Sequence, residues 1–121
     1  MDVKRTERGW SGHFCGSSQC AFRRNTLLEF KNIKIVVSTV GSMRKHNNMG
    51  GFDPVEKIGL NRYYETMVFE AIQENKYIEA DIEKEMPFDS KWEISKIYDG
   101  VDNEANDMHE AVITEIIDKY G

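Results

Sequence analysis

The run Ile33–Val40 constrains the fold of this 121-residue chain more than any other stretch. It reads Ile-Lys-Ile-Val-Val-Ser-Thr-Val, and such a concentration of β-branched residues favours a strand. Thr26–Lys31 also predicts a strand, and a tight turn is expected around Lys31-Asn32. We therefore expect Leu27–Val40 to form a hairpin that Gly41 closes.

The following part of the chain predicts further strands. Arg62–Ala71 is compatible with a helix, because Glu, Met and Ala favour one, but Tyr, Thr, Val and Phe dominate and favour a strand. Tyr77–Glu83 alternates Ile78, Ala80 and Ile82 with acidic residues, as a half-buried strand does. Shorter strands are expected within Val55–Leu60 and Phe88–Ile97, and a hairpin turn is expected at Asn75-Lys76.

The C-terminal part predicts one amphipathic helix. Its apolar stripe has a spacing of 3.6 residues and comprises Ala105, Met108, Val112, Ile116 and Tyr120, widened by Ile113 and Ile117. We expect Asp102 or Asn103 to cap its N-terminus. Antiparallel strands followed by a helix indicate an α+β fold, and the length fits a single domain over residues 1–121.

Two stretches are expected to lack regular structure. Residues 1–8 are polar and predict a short lead-in, and residues 41–54 predict a loop broken by Gly50-Gly51 and Pro54. The chain has no run of about 18 apolar residues, so no membrane span is expected. Met1–Arg5 is not followed by an apolar stretch, so no signal peptide is expected and the default location is the cytoplasm.

The charge is divided unevenly along the chain. Residues 1–64 contain eleven Lys or Arg against five Asp or Glu, whereas residues 65–121 contain five against sixteen. This asymmetry is compatible with an anion-binding face, and equally with two halves that attract each other in the fold or across a dimer. The net charge of −5 argues against binding of polymeric DNA or RNA, which relies on many phosphate contacts.

Arginines recur beside aromatic residues, in Arg8-Gly9-Trp10, Phe22-Arg23-Arg24-Asn25 and Arg62-Tyr63-Tyr64. Arginine binds phosphate bidentately and aromatic rings stack on bases, so these groups indicate a nucleotide-like ligand. On a strand, Arg23 and Arg24 would point to opposite faces, so one of them is expected at a given pocket. The alternative is that Trp10, Phe22 and Tyr64 are core residues and that the arginines form salt bridges.

Catalytic and metal-binding patterns are weak. Cys15 and Cys20, with His13, offer too few ligands for a structural zinc site, and nothing places a base beside either thiol. The acids Glu79, Asp81, Glu83 and Glu85 alternate as on a solvated strand face. His109 lies beside the helical stripe and is expected to be exposed or at its edge. We predict no cofactor and no enzymatic activity.

Several runs resemble one family of small phage proteins, the first described Thoeris anti-defence sponges. The matching runs are Arg8–Phe14, Cys20–Leu28, Ile35–Gly41, Ile58–Met67 and Asn103–Glu110. The loop at residues 41–54 and the region Ile82–Trp92 do not match the family pattern, which leaves the choice of ligand open. The resemblance covers most of the remaining chain.

The resemblance implies a protein that sequesters cyclic ADP-ribose isomers without cleaving them. It also implies a β-rich homodimer, possible assembly into hexamers, and separate sites for cyclic di- or trinucleotides. The candidate ligand-binding residues are Trp10, His13, Phe14, Arg23, Arg24, Asn25, Arg62, Tyr63, Tyr64, Met108 and His109. The competing hypothesis is an anti-CRISPR-type inhibitor whose acidic second half imitates nucleic acid.

Overall fold

The strand run that dominates the sequence becomes the centre of the sheet. A computed structural model describes residues 3–8, 20–44, 55–58, 62–74 and 77–121. Its elements are β1 (Lys4–Glu7), β2 (Cys20–Glu29), β3 (Lys34–Arg44), β4 (Val55–Glu56), β5 (Tyr64–Glu74), β6 (Tyr77–Glu85), β7 (Glu93–Ile94) and α1 (Val101–Tyr120). An antiparallel sheet with one C-terminal helix confirms the predicted α+β class.

The sheet has the strand order β1-β2-β3-β5-β6, with β4 paired to β3 and β7 paired to β5. Every pairing is antiparallel. In the central strand β3, Ile35, Val36 and Val37 are all fully buried, so both of its faces are covered. Burying each such side chain stabilises the fold by about 1.5–3 kcal/mol, which explains why the most β-branched run takes the central place.

The predicted hairpin is confirmed by β2 and β3, in which Leu28 pairs with Ile35. The prediction that Gly41 ends the second strand is wrong, because β3 continues to Arg44. Gly41 pairs with Phe22 on one side and with Tyr64 on the other, and these two pairings keep it within the sheet. The first four residues of the predicted loop at 41–54 are therefore strand, and residues 45–54 lie outside the described residues.

The N-terminal lead-in is also a strand. Lys4–Glu7 forms β1 and pairs with the end of β2, where Thr6 lies opposite Leu27. This strand was not predicted, because charged residues have low β propensity and an edge strand needs no apolar face. The register with β2 decides the conformation of this segment.

The strand assignment of Arg62–Ala71 is confirmed by β5, and the Tyr77–Glu83 strand by β6. The residues of the predicted turn, Asn75-Lys76, lie outside the described part of the chain. A bulge interrupts the β5–β6 pairing, since Phe69 pairs with Glu85 whereas Ala71 pairs with Ala80. Ile82 lies within this bulge and is 69% exposed, so its predicted place on the buried face is wrong.

Helix α1 packs on one face of the sheet through the predicted stripe. Ala105, Met108, Val112 and Ile116 are buried, and Ile113 joins Ile116 in a core cluster with Leu28, Ile35, Val37 and Val68. The predicted cap at Asp102 or Asn103 is wrong. The N-cap is Gly100, which adopts a left-handed φ of 90° and provides no side-chain cap. Starting the helix at Val101 allows that side chain to be buried beside Tyr64 and Ile94.

Among the described residues, no helix combines the length and the apolar character needed to cross a membrane.

Candidate functional site

A chain of hydrogen bonds runs between α1 and the sheet and joins Glu7, Thr26, His109, Thr39 and Thr66; we call it the polar relay. His109 is fully buried at its centre. Its Nε2 lies 2.7 Å from Thr26 Oγ1, and its Nδ1 lies 2.6 Å from Thr39 Oγ1. The relay continues to Thr66, 2.6 Å from Thr39, and to Glu7, 2.8 Å from Thr26. The expectation that His109 is exposed or at an edge is wrong.

Glu7 fixes the direction of the relay. Its carboxylate accepts a hydrogen bond from the Thr26 hydroxyl, so Thr26 in turn accepts a hydrogen bond from His109 Nε2–H. In a neutral imidazole, Nδ1 is then the acceptor for Thr39, and Thr39 accepts from Thr66. The network therefore assigns neutral His109 to the Nε2–H tautomer. Burial, with the positive charge of Arg24, lowers the pKa of His109 to about 3.

An ion cluster of Arg5, Glu7, Arg24 and Glu110 lies at the outer end of the relay. Arg24 Nη1 donates to Glu110 Oε2 at 2.9 Å and to Asn106 Oδ1 at 2.7 Å. The hydrogen bond from Arg5, assisted by the one from Arg24, lowers the pKa of Glu110 to about 2. Arg5 and Arg24 belong to the basic part of the chain, residues 1–64, and Glu110 belongs to the acidic part, residues 65–121. Their ion pairs agree with the interpretation that the two parts attract each other within the fold.

Arg23 and Arg24 occupy different environments, as strand alternation predicted. Arg24 is half-buried beneath α1 and takes part in the ion cluster, whereas Arg23 is exposed. Their neighbour Asn25 is buried, and its Oδ1 accepts from Arg8 Nε at 2.9 Å and from Arg8 Nη2 at 2.7 Å. Arg8 also donates to the Ile78 carbonyl, so this arginine links β2 to β6. Burial lowers the pKa of Arg8.

Tyr64 and Met108 belong to one core cluster. Tyr64 is 1% exposed; its hydroxyl donates to Asp102 Oδ1 at 2.5 Å, and its ring meets Phe22 edge-on at 5.8 Å. This is the arrangement that the core alternative predicted for Tyr64 and Phe22. Tyr63 is half-buried, with the Lys57 ammonium 5.9 Å from its ring centroid.

A cavity of about 290 Å³ opens where β6 and β7 leave a gap along the edge of β5, and we call it the gap pocket. This volume is at the lower end of the range for small-molecule sites. Its lining residues combine one arginine, two carboxylates, two aromatic rings and two thioethers: Arg62, Glu65, Thr66, Met67, Glu85, Met86, Pro87, Phe88 and Trp92.

The segment between β6 and β7 encloses this pocket. β6 ends at Glu85, which pairs with Phe69, and Met86 N then donates to the Val68 carbonyl at 2.8 Å. Further along, Thr66 N donates to the Trp92 carbonyl at 2.7 Å, and β7 begins at Glu93. Segment 86–92 is therefore fixed at both ends, and it bows outward around the cavity between them.

Arg62 spans the pocket between an aromatic face and a buried acid. Its guanidinium carbon lies 5.1 Å from the centroid of the Trp92 ring, within the range of a cation–π contact. Its Nε lies 2.6 Å from Glu65 Oε2, and Glu93 Oε2 lies 3.9 Å from Nη1. Trp92 remains 40% exposed, so part of the indole faces solvent.

A larger cavity of about 810 Å³ lies at the other end of the sheet. It is lined by Val3, Lys4, Glu29, Phe30, Lys31, Tyr120 and Gly121. Two lysines and two aromatic rings, whose centroids lie 6.4 Å apart, are groups that can contact a ligand. Among the described residues, however, its lining has no arginine and no buried charged group. The gap pocket has both, and we consider it the better candidate site.

The structure separates the predicted site residues instead of gathering them. Arg62 lines the gap pocket, while Arg24, Asn25, Tyr64, Met108 and His109 are engaged in the core, the polar relay or the ion cluster. Trp10, His13 and Phe14 lie outside the described residues. Trp92 was not predicted as a site residue, because its contact with Arg62 depends on a pairing between residues far apart in sequence.

Groups for metal binding or nucleophilic chemistry do not converge in the part of the chain that the structure describes. No three His, Cys, Asp or Glu side chains there are arranged to bind a metal ion. Cys20 is a free, buried thiol whose pKa is raised by burial, and a raised pKa makes a thiol a poor nucleophile at neutral pH.

The fold and the gap pocket define this chain as an α+β protein with a small cleft of mixed polar and aromatic character at a sheet edge. It matches no protein-family model, no curated protein and no solved structure. The site is therefore interpreted from its own geometry and charge, and the sponge resemblance stays a prediction.

Proposed function

We propose that this protein binds and sequesters a small nucleotide signal of the cyclic ADP-ribose class without cleaving it. The observation that carries the proposal is the Arg62 guanidinium 5.1 Å above the Trp92 ring, beside a cavity of about 290 Å³. Aromatic rings stack on bases, and arginine stacks on rings or binds anionic groups. In this proposal the protein acts in the cytoplasm of an infected bacterium and blocks Thoeris immunity.

The chemistry around the gap pocket favours binding over catalysis. Its described lining includes no histidine, cysteine or serine, and the hydroxyl of Thr66 is engaged with Thr39 in the polar relay. His109 has both ring nitrogens occupied. A sequestering protein needs affinity for its ligand and no preferential stabilisation of a transition state, so such a lining suits the proposed role.

The proposal includes assembly of the chain into a homodimer, with a hexamer as the larger assembly that the family resemblance implies. Cyclic di- or trinucleotides are further candidate ligands at separate sites. Binding to polymeric nucleic acid or to membranes is not part of the proposal, and no cofactor is invoked. Sedimentation of the purified protein with and without ligand tests the assembly state.

Isothermal titration of the purified protein with cyclic ADP-ribose isomers is the direct test of function. We expect saturable binding of at least one isomer and recovery of the intact ligand after heat denaturation of the complex. Trp92→Leu should weaken binding, whereas Tyr77→Leu, which changes a 71% exposed ring on β6, should not. The absence of binding to every isomer, or recovery of a cleaved product, would refute the proposal.

A second candidate function rests on the acidic surface of β6. Glu79 and Glu83 are exposed, and Asp81 is partly exposed between them, which suits an inhibitor that imitates nucleic acid. That alternative predicts that charge reversal at Glu79, Asp81 and Glu83 abolishes inhibition of a nucleic-acid-binding enzyme. It also predicts that Trp92→Leu has no effect, which is the opposite of the sponge proposal.

A further inference from the structure

The charge of the gap pocket limits which part of a nucleotide it can accept. Arg62 is the one cation in its described lining, and Glu65, which is 6% exposed, already pairs with it at 2.6 Å. Glu85 adds a second carboxylate to the lining, and Glu93 lies 3.9 Å from Arg62. Carboxylates therefore outnumber cations, and a phosphate placed here would be repelled.

The walls of the pocket suit a flat ring. Trp92 and Phe88 offer aromatic surface, and Met67 and Met86 offer polarisable side chains that adapt to the outline of a bound group. The position of the Arg62 guanidinium, 5.1 Å from the Trp92 centroid, shows that a planar group can lie over this indole. Base–aromatic stacking of this kind does not depend on a phosphate.

The hydrogen-bond acceptors that line the pocket determine which edge of the bound ring faces them. A carboxylate is an acceptor with several lone-pair sites, so Glu85 and Glu65 favour a ligand that presents N–H donors. An exocyclic amino group on a purine supplies two such donors. A volume of about 290 Å³ accommodates a base without the rest of a dinucleotide.

We propose that the gap pocket is a base-recognition site, which takes an aminopurine ring stacked on Trp92 with its amino edge toward Glu85. This inference rests on the proposed function for the identity of the whole ligand, and it assigns the phosphates to groups outside this pocket. The base then lies on the part of the indole that Arg62 leaves exposed, while Glu65 holds Arg62 against the rest of the ring.

Calorimetry with adenosine and with purine riboside, which lacks the amino group, tests the assignment. We expect adenosine to bind without any phosphate and purine riboside to bind about tenfold more weakly. Trp92→Leu should weaken adenosine binding at least about tenfold, whereas Trp92→Phe keeps a ring and should retain most of it. Glu85→Gln removes the charge and keeps an acceptor oxygen, so it should reduce the preference for adenosine. The control Glu83→Gln, which changes an exposed acid two residues away, should leave the preference unchanged.

The outcomes separate this inference from the proposed function. If a cyclic ADP-ribose isomer binds and neither Trp92→Leu nor Glu85→Gln changes its affinity, the base site is overturned and the function stands. If adenosine binds with the expected variant pattern and no isomer binds, the base site stands and the function is overturned. If neither ligand binds, both are overturned. Equal urea midpoints for wild type and Trp92→Leu establish that a loss of binding in Trp92→Leu reflects the site and not the fold.

Discussion

The ring of Tyr64 lies on the backbone of Gly41, in the position that a side chain of residue 41 would occupy. A Cβ built at Gly41 would be 2.1 Å from Tyr64 Cδ2 and 2.5 Å from Cγ. The backbone φ of Gly41 is not positive, so its conformation does not call for glycine. Glycine is required at this position because a Cβ would collide with the Tyr64 ring. The contact allows Tyr64 to be 1% exposed and to reach Asp102 at the start of α1.

Replacing Gly41 with Ala should destabilise the protein by about 1–3 kcal/mol, because the added methyl group overpacks the Tyr64 ring. Urea denaturation measures this change. The control is the same substitution in a Tyr64→Ala background, where the space is open and Gly41→Ala should cost far less. Equal costs in the two backgrounds would show that the ring is not the cause.

Thr39→Val should destabilise the protein by about 1–3 kcal/mol, although valine has nearly the same shape. It removes the hydroxyl that lies between His109 Nδ1 and Thr66, and it leaves two buried polar groups without this partner. Thr39→Ser keeps the hydroxyl and loses a methyl group, so it should cost about 0.8 kcal/mol. Thermal or urea unfolding measures the loss of stability in each variant. A larger loss in Thr39→Ser than in Thr39→Val would contradict the role of the Thr39 hydroxyl in the polar relay.

The buried His109 should make the fold sensitive to acid. Its pKa is lowered from 6.5 to about 3, so between these values the unfolded chain binds a proton that the folded chain does not. Its contribution is thus complete above pH 6.5 and decreases as the pH falls, by up to about 1.4 kcal/mol per pH unit. His109→Gln removes this titration, and its stability should fall less than that of wild type between pH 6.5 and 4. Parallel pH profiles would contradict the prediction.

The ion cluster should contribute modestly and in a salt-dependent way. Glu110 has a pKa lowered to about 2, so its stabilising effect is present above pH 4.5 and is lost as the pH falls toward 2. Its side chain is 40% exposed, so Glu110→Gln should cost about 1 kcal/mol or less at neutral pH, and less still in about 1 M salt. Asp107→Asn, an exposed acid on the same helix, is the matched control. If the loss of stability in Glu110→Gln is the same at low and high salt, the charge of Glu110 is not the source of its stabilising effect.

The sequence predicted those elements whose patterns are local. The β-branched run and the 3.6-residue stripe of α1 record which faces are buried, and the structure confirms both elements. It also confirms β6 as a strand, although the alternation of buried and exposed side chains there does not extend to Ile82. The strand β1, the bulge in β6 and the helix start at Gly100 were missed. Each of them depends on a register or a contact made with a residue far along the chain.

The candidate site was predictable in part. Arg62 was found because arginines beside aromatic residues are visible in sequence, but its ring partner is Trp92 and not the adjacent Tyr63 or Tyr64. The polar relay left little signal in the sequence, because Thr26, Thr39 and Thr66 each follow another polar residue on the same strand. That the three threonines form one hydrogen-bonded chain with His109 could not be predicted from the sequence, because it depends on how β2, β3, β5 and α1 are placed in the fold.

By itself the sequence determined the α+β class, the central hairpin and the buried stripe of the helix, because burial of apolar side chains follows periodicity along the chain. The tertiary structure decided that Arg5 and Arg24 join the ion cluster and that Arg62, which is itself paired with Glu65, lines a pocket. It also decided that His109 is a neutral, buried residue. Those outcomes depend on which residues, far apart in sequence, come within hydrogen-bond or ion-pair distance in the fold. The energies of hydrogen bonds and ion pairs change with that distance, and the periodicity of apolar residues along the chain does not reveal it.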